Sequence, residues 1–299
     1  MIEVKGVSKT FGTHRAARDV SFTAPAGQIT AFVGPNGAGK STVLRIIAGI
    51  AIADEGHVLV EGRPFADAVN PAESLGVFLS AETIPVKARA LDHLHYLALL
   101  QGRTLGDAQE ALTQVGLGGS ERTRVGAMSL GMRQRLGIAA AGLGSPRVLV
   151  LDEPANGLDP AGVQWFRDHI VHLARHGVTV LLSSHHMTEL ALVADRVVMI
   201  DRGQIVAEGT VADFVATDGT PPVRVRTSDP ARLLDMLTAH GLTAGLHDDG
   251  IVVHGASAHE VGRIAYTDGP GVTHLAVIER SIEQTYFDRL QPVGQEGTR

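Results

Sequence analysis

The stretch that could do the most chemistry runs from Gly34 to Thr42 and fits the phosphate-binding pattern G-x-x-x-x-G-K-[ST]. Its glycines let backbone amides curl around phosphate oxygens, and the N-terminus of a following helix adds partial positive charge. Lys40 can reach the β- and γ-phosphates of a nucleotide, and the Ser41 hydroxyl can bind Mg²⁺. We therefore predict a nucleotide site that includes every residue of this loop: Gly34, Pro35, Asn36, Gly37, Ala38, Gly39, Lys40, Ser41 and Thr42.

Two carboxylates follow a second apolar run. Val148, Leu149, Val150 and Leu151 read as a buried parallel strand, and Asp152 and Glu153 come directly after it. Open α/β sheets bind ligands at the carboxyl ends of their strands, so Asp152 suits a Mg²⁺ shell and Glu153 suits orienting or deprotonating an attacking water. Alone, a polar strand end explains the pair equally well. Beside the phosphate loop, the pair favours nucleotide hydrolysis.

Composition limits the classes of protein to consider. The chain of 299 residues has 44% hydrophobic content, which supports one large domain plus a small one. Its apolar runs stay far below the ~20 residues of a membrane-spanning helix, and it has no signal-like N-terminus, so we expect a soluble, cytoplasmic polypeptide. A net charge of −6 argues against broad nucleic-acid affinity, and the lack of cysteine excludes disulfides and thiolate metal sites.

The elements that must position these residues alternate between strands and helices. Strand-like runs lie at residues 2–4, 20–23, 28–33, 57–60, 148–151, 178–182 and 197–200, and another is expected near 75–79. Residues 84–142 read as mostly helical, with Leu91, Leu94, Leu97 and Leu100 recurring at helical spacing. This alternation predicts an α/β fold with a mostly parallel sheet.

The C-terminal third has a different pattern. Residues 216–222 have the composition of a linker. Beyond it, residues 223–290 read as a small α+β accessory domain: a strand at 223–227, a helix at 230–240, a hairpin around 248–250, a helix at 258–266, a strand at 272–278 and a last helix at 281–290. Residues 291–299 read as a loose tail.

Three more stretches give the chain a family resemblance. Residues 128–135 read M-S-L-G-M-R-Q-R, residues 156–160 read N-G-L-D-P and residues 182–185 read L-S-S-H. With the phosphate loop and the strand ending at Glu153, their order and spacing resemble the ATP-binding cassette (ABC) family of transporter ATPases over about residues 2–215. The resemblance implies a P-loop NTPase core at 1–215, with a β-rich N-terminal subdomain and a helical subdomain at about 84–142.

The resemblance also implies roles for particular residues. Ser129 can cap a helix that starts near Leu130, and together with Gly131 it resembles the family signature that faces the γ-phosphate held by a second subunit. Asp159 belongs to the D-loop, and His185 resembles the switch histidine that contacts the γ-phosphate. Phe11 resembles the aromatic residue that stacks on adenine, although a core position is the alternative for a lone phenylalanine.

Some positions depart from the family pattern or from its chemistry. Leu130 and Met132 replace the usual Gly and Gln, but backbone amides do not depend on those side chains. Ser80-Ala81-Glu82 stands where the family has its Q-loop Gln, so the Mg²⁺ contact on that side is left open between Ser80, through water, and Glu82.

Two histidine groups fall outside the family motifs. His169, His172 and His176 could gather a metal by helical spacing, but a solvated polar face is the favoured interpretation. His186 is interpreted as incidental.

The resemblance implies a function and its partners. We expect the ATP-hydrolysing subunit of an exporter of the drug, antibiotic or lipid-like efflux type, since residues 281–287 (S-I-E-Q-T-Y-F) are similar to the tail of such ATPases. Its ligands are ATP and Mg²⁺. Its partners are a second copy of the chain and a separate membrane permease docked near residues 80–100, which keeps it at the inner face of the membrane. An importer ATPase, a soluble ABC ATPase and a small-molecule regulatory role for residues 223–290 are the alternatives.

Overall fold

Two compact units make up the computed structural model, which describes residues 1–185, 192–215, 220–267 and 269–278. The first unit comprises Met1–Val211, and the second begins at Ala212. In the first unit, the strands are β1 (Ile2–Phe11), β2 (His14–Ala24), β3 (Ile29–Val33), β4 (Glu55–Val60), β5 (Leu75–Phe78), β6 (Val148–Leu151), β7 (Thr179–Ser184), β8 (Arg196–Asp201) and β9 (Gln204–Thr210). The helices are α1 (Lys40–Ile47), α2 (Pro71–Ser74), α3 (Ala90–Leu100), α4 (Leu105–Gln114), α5 (Leu130–Gly142) and α6 (Pro160–Arg175), and α7 (Val211–Val215) starts at the boundary.

A six-stranded sheet in the order β5-β6-β7-β3-β8-β9 forms the centre of this unit. Neighbouring strands from β5 to β8 pair in parallel, and only β9 runs antiparallel to its neighbour. Every residue of β3, β6 and β7 is buried, as expected for parallel strands that are covered on both faces. The carboxyl ends of these three neighbours therefore meet at one edge of the sheet and bring their following loops together.

The β-rich N-terminal part is a separate antiparallel sheet in the order β2-β1-β4. It shares one hydrophobic core with the six-stranded sheet and with α1. Phe22 of β2 stacks on Phe32 of β3 with ring centroids 5.1 Å apart. This packing fixes Phe11, at the end of β1, relative to the loop that follows β3.

The helical part packs α3, α4 and α5 around a second core that includes Leu94, Leu112 and Leu136. Leu94 is fully buried whereas Leu100 is 67% exposed, so the leucines that recur at helical spacing do not all face this core. Each residue of an α-helix advances about 100°, so a nine-residue separation places two side chains on opposite faces. Leu91 and Leu100 therefore never share one side of α3.

The second unit has strands β10 (Val223–Arg226), β11 (Thr243–His247), β12 (Gly250–His254) and β13 (His274–Val277), with helices α8 (Pro230–Ala239) and α9 (Ala258–Thr267). All pairs in its sheet, ordered β11-β12-β10-β13, are antiparallel. A β-α-β-β-α-β chain with this order is a ferredoxin-like arrangement. The α+β pattern expected from 223 to 278 is confirmed at the level of its elements. Residues 216–219 of the expected linker, the expected helix at 281–290 and the tail at 291–299 lie outside the described residues.

Across the described ranges, every helix is too short or too polar to cross a lipid bilayer.

Candidate functional site

The phosphate loop connects β3 to α1 and wraps around the side chain of Lys40. The Lys40 ammonium donates hydrogen bonds to the carbonyl oxygens of Gly34, at 2.7 Å, and Pro35, at 3.2 Å. Gly39 has a φ of +107°, and a Cβ there would lie 2.3 Å from the carbonyl oxygen of Ala16. The loop is therefore closed tightly against β2, with Lys40 at its centre and only 6% exposed.

Glu153 joins two other sequence-predicted residues at the carboxyl edge of the sheet. Its Oε1 lies 3.5 Å from Nζ of Lys40, and its Oε2 lies 2.8 Å from Nδ1 of His185. Glu153 has a φ of +47°, a left-handed conformation that side chains other than glycine seldom adopt. The structure thus brings together Lys40, from the start of α1, Glu153, from the loop after β6, and His185, which follows β7.

Ser183, on β7, completes this arrangement and was missed as an individual residue by the sequence analysis. Its hydroxyl donates to Oδ1 of Asp152 at 2.5 Å and accepts a hydrogen bond from the Glu153 amide at 2.9 Å. Ser183 is fully buried and Asp152 is 8% exposed. The motif at residues 182–185 contained the signal, but only the pairing of β6 with β7 reveals the contact.

Asp152 and Ser41 supply oxygen atoms of the kind that Mg²⁺ prefers. Among the described residues, no cluster of three or more His, Asp or Glu side chains could hold a metal ion. Mg²⁺ is usually bound by one or two protein ligands together with phosphates and water, so this sparse oxygen set fits a nucleotide-bound Mg²⁺.

A cavity of about 460 Å³ lies in front of the phosphate loop. The residues lining it include Phe11, His14, Asn36, Gly37, Gly39, Lys40, Ser41, Thr42, Arg45 and Glu153. Phe11 is 52% exposed, so it is not a core residue and can offer its ring to a ligand. Lys9 lies 5.5 Å from the centroid of that ring and pairs with Asp54 at 2.7 Å. Hydrogen bonds from the Lys9 side chain and the Thr10 amide lower the pKa of Asp54, which keeps this anchor ionised.

Ser129 begins α5 as the sequence predicts, because its hydroxyl accepts a hydrogen bond from the amide of Met132 at 3.1 Å. The first turn of α5 packs closely on the loop after β6: a Cβ on Gly131 would lie 3.1 Å from the carbonyl oxygen of Gly157. Leu130, the departure from the family pattern, contacts Gly157 from the same turn. The signature and the D-loop therefore form one joined surface.

Asp159 begins α6 by accepting a hydrogen bond from the amide of Gly162 at 2.8 Å. Gln134 of α5, a buried residue to which the sequence analysis gave no role, donates to the carbonyl oxygen of Asn156 at 3.0 Å. Ser129, Gly131 and Asp159 are absent from the described residues that line the cavity around Lys40.

Ser80 lies at the same edge of the sheet as Asp152, since the Asp152 amide donates to the carbonyl oxygen of Phe78. Its hydroxyl accepts a hydrogen bond from the amide of Glu82 at 3.1 Å and caps the short 3₁₀ turn Ala81–Thr83. The Glu82 side chain is exposed. The two candidates for the missing Q-loop contact are therefore a capping hydroxyl and a solvated carboxylate.

His169 and His172 lie on α6, and His176 directly follows the helix. His172 and His176 are exposed, as expected for a solvated polar face, whereas His169 is half-buried. His169 stacks on Trp165 at a centroid distance of 5.3 Å, and burial, aided by the nearby His172, lowers its pKa. His172 and His176 face each other at 4.2 Å. His186 lies outside the described residues.

Comparison with known proteins places this site in a family. A family model described as "ABC transporter" matches residues 17–156, and one for a domain of unknown function (DUF8746) matches residues 221–283. The lantibiotic transport ATP-binding protein SrtF of Streptococcus pyogenes is 34% identical over 208 residues, which cover 70% of this chain and 90% of that protein. The uncharacterized ABC transporter ATP-binding protein YdbJ of Bacillus subtilis is 32% identical over 302 residues, which cover 99% of this chain and 97% of that protein.

Two further likenesses bear on the subunit type and the fold. The bacitracin transport ATP-binding protein BcrA of Enterococcus faecalis is 28% identical over 303 residues, covering 97% of this chain and 96% of that protein. A solved structure of the ATP binding subunit of an ABC transporter matches with a TM-score of 0.65 at 25% identity, over 72% of this chain and 91% of that chain. The chain therefore belongs to the ABC transporter family and is an ATPase subunit with the P-loop cassette fold of that family.

Proposed function

We propose that this chain is the ATP-hydrolysing subunit of an ABC exporter and that its cargo belongs to the drug, antibiotic or lipid-like class. Relatives named for lantibiotic transport, bacitracin transport and linearmycin resistance support export over import. The single observation that carries the catalytic part is the meeting of Lys40, Glu153 and His185 at the carboxyl edge of the sheet.

The chemistry follows from the charges in this arrangement. With ATP in the cavity, Lys40, the loop amides and His185 neutralise the γ-phosphate, while Glu153 orients the attacking water and accepts its proton. Asp152 and Ser41 would hold the Mg²⁺ that screens the β- and γ-phosphates. Phe11 stacks on the adenine at the other end of the cavity. Positioning and charge stabilisation supply most of the catalysis in phosphoryl transfer.

We infer that the active form is a dimer in which two chains meet head to tail. Ser129 and Gly131 stand at the N-terminus of α5, where free amides and the helix dipole favour a phosphate. Since these residues and Asp159 do not line their own chain's cavity in the described residues, they serve the γ-phosphate of a second copy. Each ATP would then lie between the phosphate loop of one chain and the signature of the other.

The permease contact lies on the helical part of the cassette. Val86, Tyr96, Leu99 and Leu100 are between 59% and 67% exposed and fall in or near α3. When large apolar side chains cluster at a surface, they mark a contact site more often than a face that is simply solvated. Docking there keeps the chain at the inner face of the membrane and lets ATP-driven closure reach the permease.

Two measurements test this function. Purified protein should release phosphate from Mg-ATP, and Glu153→Gln should stop that release, whereas Glu110→Gln on the exposed face of α4 should not. In cells, the Glu153→Gln subunit should raise sensitivity to at least one peptide antibiotic of a panel that includes a lantibiotic and bacitracin. Phosphate release by Glu153→Gln at the wild-type rate contradicts the catalytic assignment. Unchanged sensitivity to the whole panel contradicts a peptide-antibiotic cargo.

A further inference from the structure

Ser183 links Asp152, which we assign to Mg²⁺, with Glu153, which we assign to the attacking water. It lies on β7, which runs between β6, the strand that ends at Asp152, and β3, the strand that leads into the phosphate loop. The single hydroxyl of Ser183 donates to Oδ1 of Asp152 at 2.5 Å and accepts from the amide of Glu153 at 2.9 Å. Ser183 is 0% exposed, so no water competes for either contact.

Both contacts constrain geometry that the proposed chemistry needs. With Oδ1 of Asp152 engaged by Ser183, the carboxylate has a fixed rotation and can present its other oxygen to a cation. At Glu153, the hydrogen bond that the backbone amide donates to the Ser183 hydroxyl supports a φ of +47°. This conformation costs energy for a residue other than glycine. That backbone conformation directs the Glu153 carboxylate towards Lys40 and His185.

We propose that Ser183 is a positioning residue that sets the orientation of Asp152 towards Mg²⁺ and holds the backbone of Glu153 in its left-handed conformation. This inference rests on the proposed ATPase function and adds a residue to it. Ser183 is fully buried and acts through its two neighbours. Outer-shell hydrogen bonds of this kind typically control metal affinity by about 10–100-fold.

A buried hydroxyl can also be a purely structural feature, and the chain contains a matched example. Thr30 lies on β3, the strand that pairs with β7, and is fully buried. Its hydroxyl has no hydrogen-bond partner among the described residues. Thr30→Val therefore removes one buried hydroxyl from the same sheet without breaking a link to Asp152 or Glu153.

The experiment compares full-length wild type with Ser183→Ala, Ser183→Thr and Thr30→Val. Binding of a fluorescent ATP analogue is measured in EDTA and then during a Mg²⁺ titration. For Ser183→Ala, we expect the half-saturating Mg²⁺ concentration to rise about tenfold, while the affinity in EDTA stays within about twofold of wild type. Ser183→Thr keeps the hydroxyl and should restore the Mg²⁺ requirement to within about threefold. Thr30→Val should match wild type in both conditions.

Two results overturn the inference. One is a Mg²⁺ requirement of Ser183→Ala within twofold of wild type, and the other is an equal loss of affinity with and without Mg²⁺. If Ser183→Ala does not fold, as judged by its thermal unfolding, Ser183→Cys replaces it, because a thiol fills the site but donates only weakly. If wild type binds and hydrolyses ATP and Ser183→Ala behaves like wild type, the inference about Ser183 is refuted but the proposed function is not. Wild type that binds no ATP refutes the proposed function instead.

Discussion

Replacing Glu153 by Gln should tighten the binding of ATP as well as stop its hydrolysis. The Glu153 carboxylate lies 3.5 Å from the Lys40 ammonium and 2.8 Å from the His185 ring. Lys40 and His185 are also the two side chains that we assign to the γ-phosphate. ATP must therefore compete with Glu153 for them. Gln has nearly the same shape but carries no charge, so it competes less well.

The size of the effect follows from these contacts. A hydrogen bond that involves a charged group contributes about 1.5–3 kcal/mol, against about 0.5–1.5 kcal/mol for a neutral one. The difference of about 1 kcal/mol corresponds to an affinity about fivefold higher, since about 1.4 kcal/mol is tenfold. Removing the repulsion between carboxylate and phosphate acts in the same direction. Because Glu153 is partly exposed, added salt should reduce the gain.

The assay is equilibrium binding of a fluorescent ATP analogue in EDTA, which excludes hydrolysis. Glu110→Gln is the matched control, because it removes a carboxylate from the exposed face of α4 and should leave the affinity unchanged. An affinity for Glu153→Gln that is equal to or weaker than that of wild type would refute the competition between Glu153 and the γ-phosphate.

Two further predictions test the loop and the helix behind the site. Gly39→Ala should abolish nucleotide binding, because the new Cβ would lie 2.3 Å from the Ala16 carbonyl oxygen; Gly37→Ala, whose φ of +81° is also strained for alanine but whose Cβ meets open space, should retain more binding in the same fluorescence assay. Burial lowers the pKa of His169 below its usual value of 6.5, so protonating this ring opposes folding. The stability that is present above the unfolded-state pKa is therefore lost as the pH falls through the folded-state pKa. His169→Gln should therefore lose less thermal stability than wild type between pH 7.5 and 5.5; an equal loss in both proteins would show that His169 does not titrate this way.

Local patterns predicted the parts of the site that lie close together in sequence. The phosphate loop, the apolar strand before Asp152 and the cap at Ser129 each depend on a few consecutive residues, and the structure has a strand, loop or helix start at each place. The first strand was predicted too short, because bulges between Val4 and Thr10 break its alternation. Strand β9 was missed for a similar reason, as its burial does not alternate cleanly.

Contacts that depend on strand register or helix docking were not predictable. Ser183 reaches Asp152 because Leu151 pairs with Leu182 across β6 and β7, and no local pattern contains that register. Gln134 reaches Asn156 because α5 packs against the loop after β6. The sequence motifs name both residues, but only the folded arrangement gives each a partner.

The most direct test of a composite, head-to-tail ATPase is a mixing experiment with two inactive variants. Lys40→Ala removes the phosphate ammonium, and Ser129→Arg blocks the signature with a bulky cation. In a mixed dimer, both defects fall on one site, and the other site keeps wild-type Lys40 and Ser129. We predict that ATPase activity, absent from each variant alone, returns in part on mixing. Two results together would contradict the account. One is ATPase activity that is strictly first order in the concentration of wild-type protein, and the other is the absence of a detectable Glu153→Gln dimer in size-exclusion chromatography with Mg-ATP.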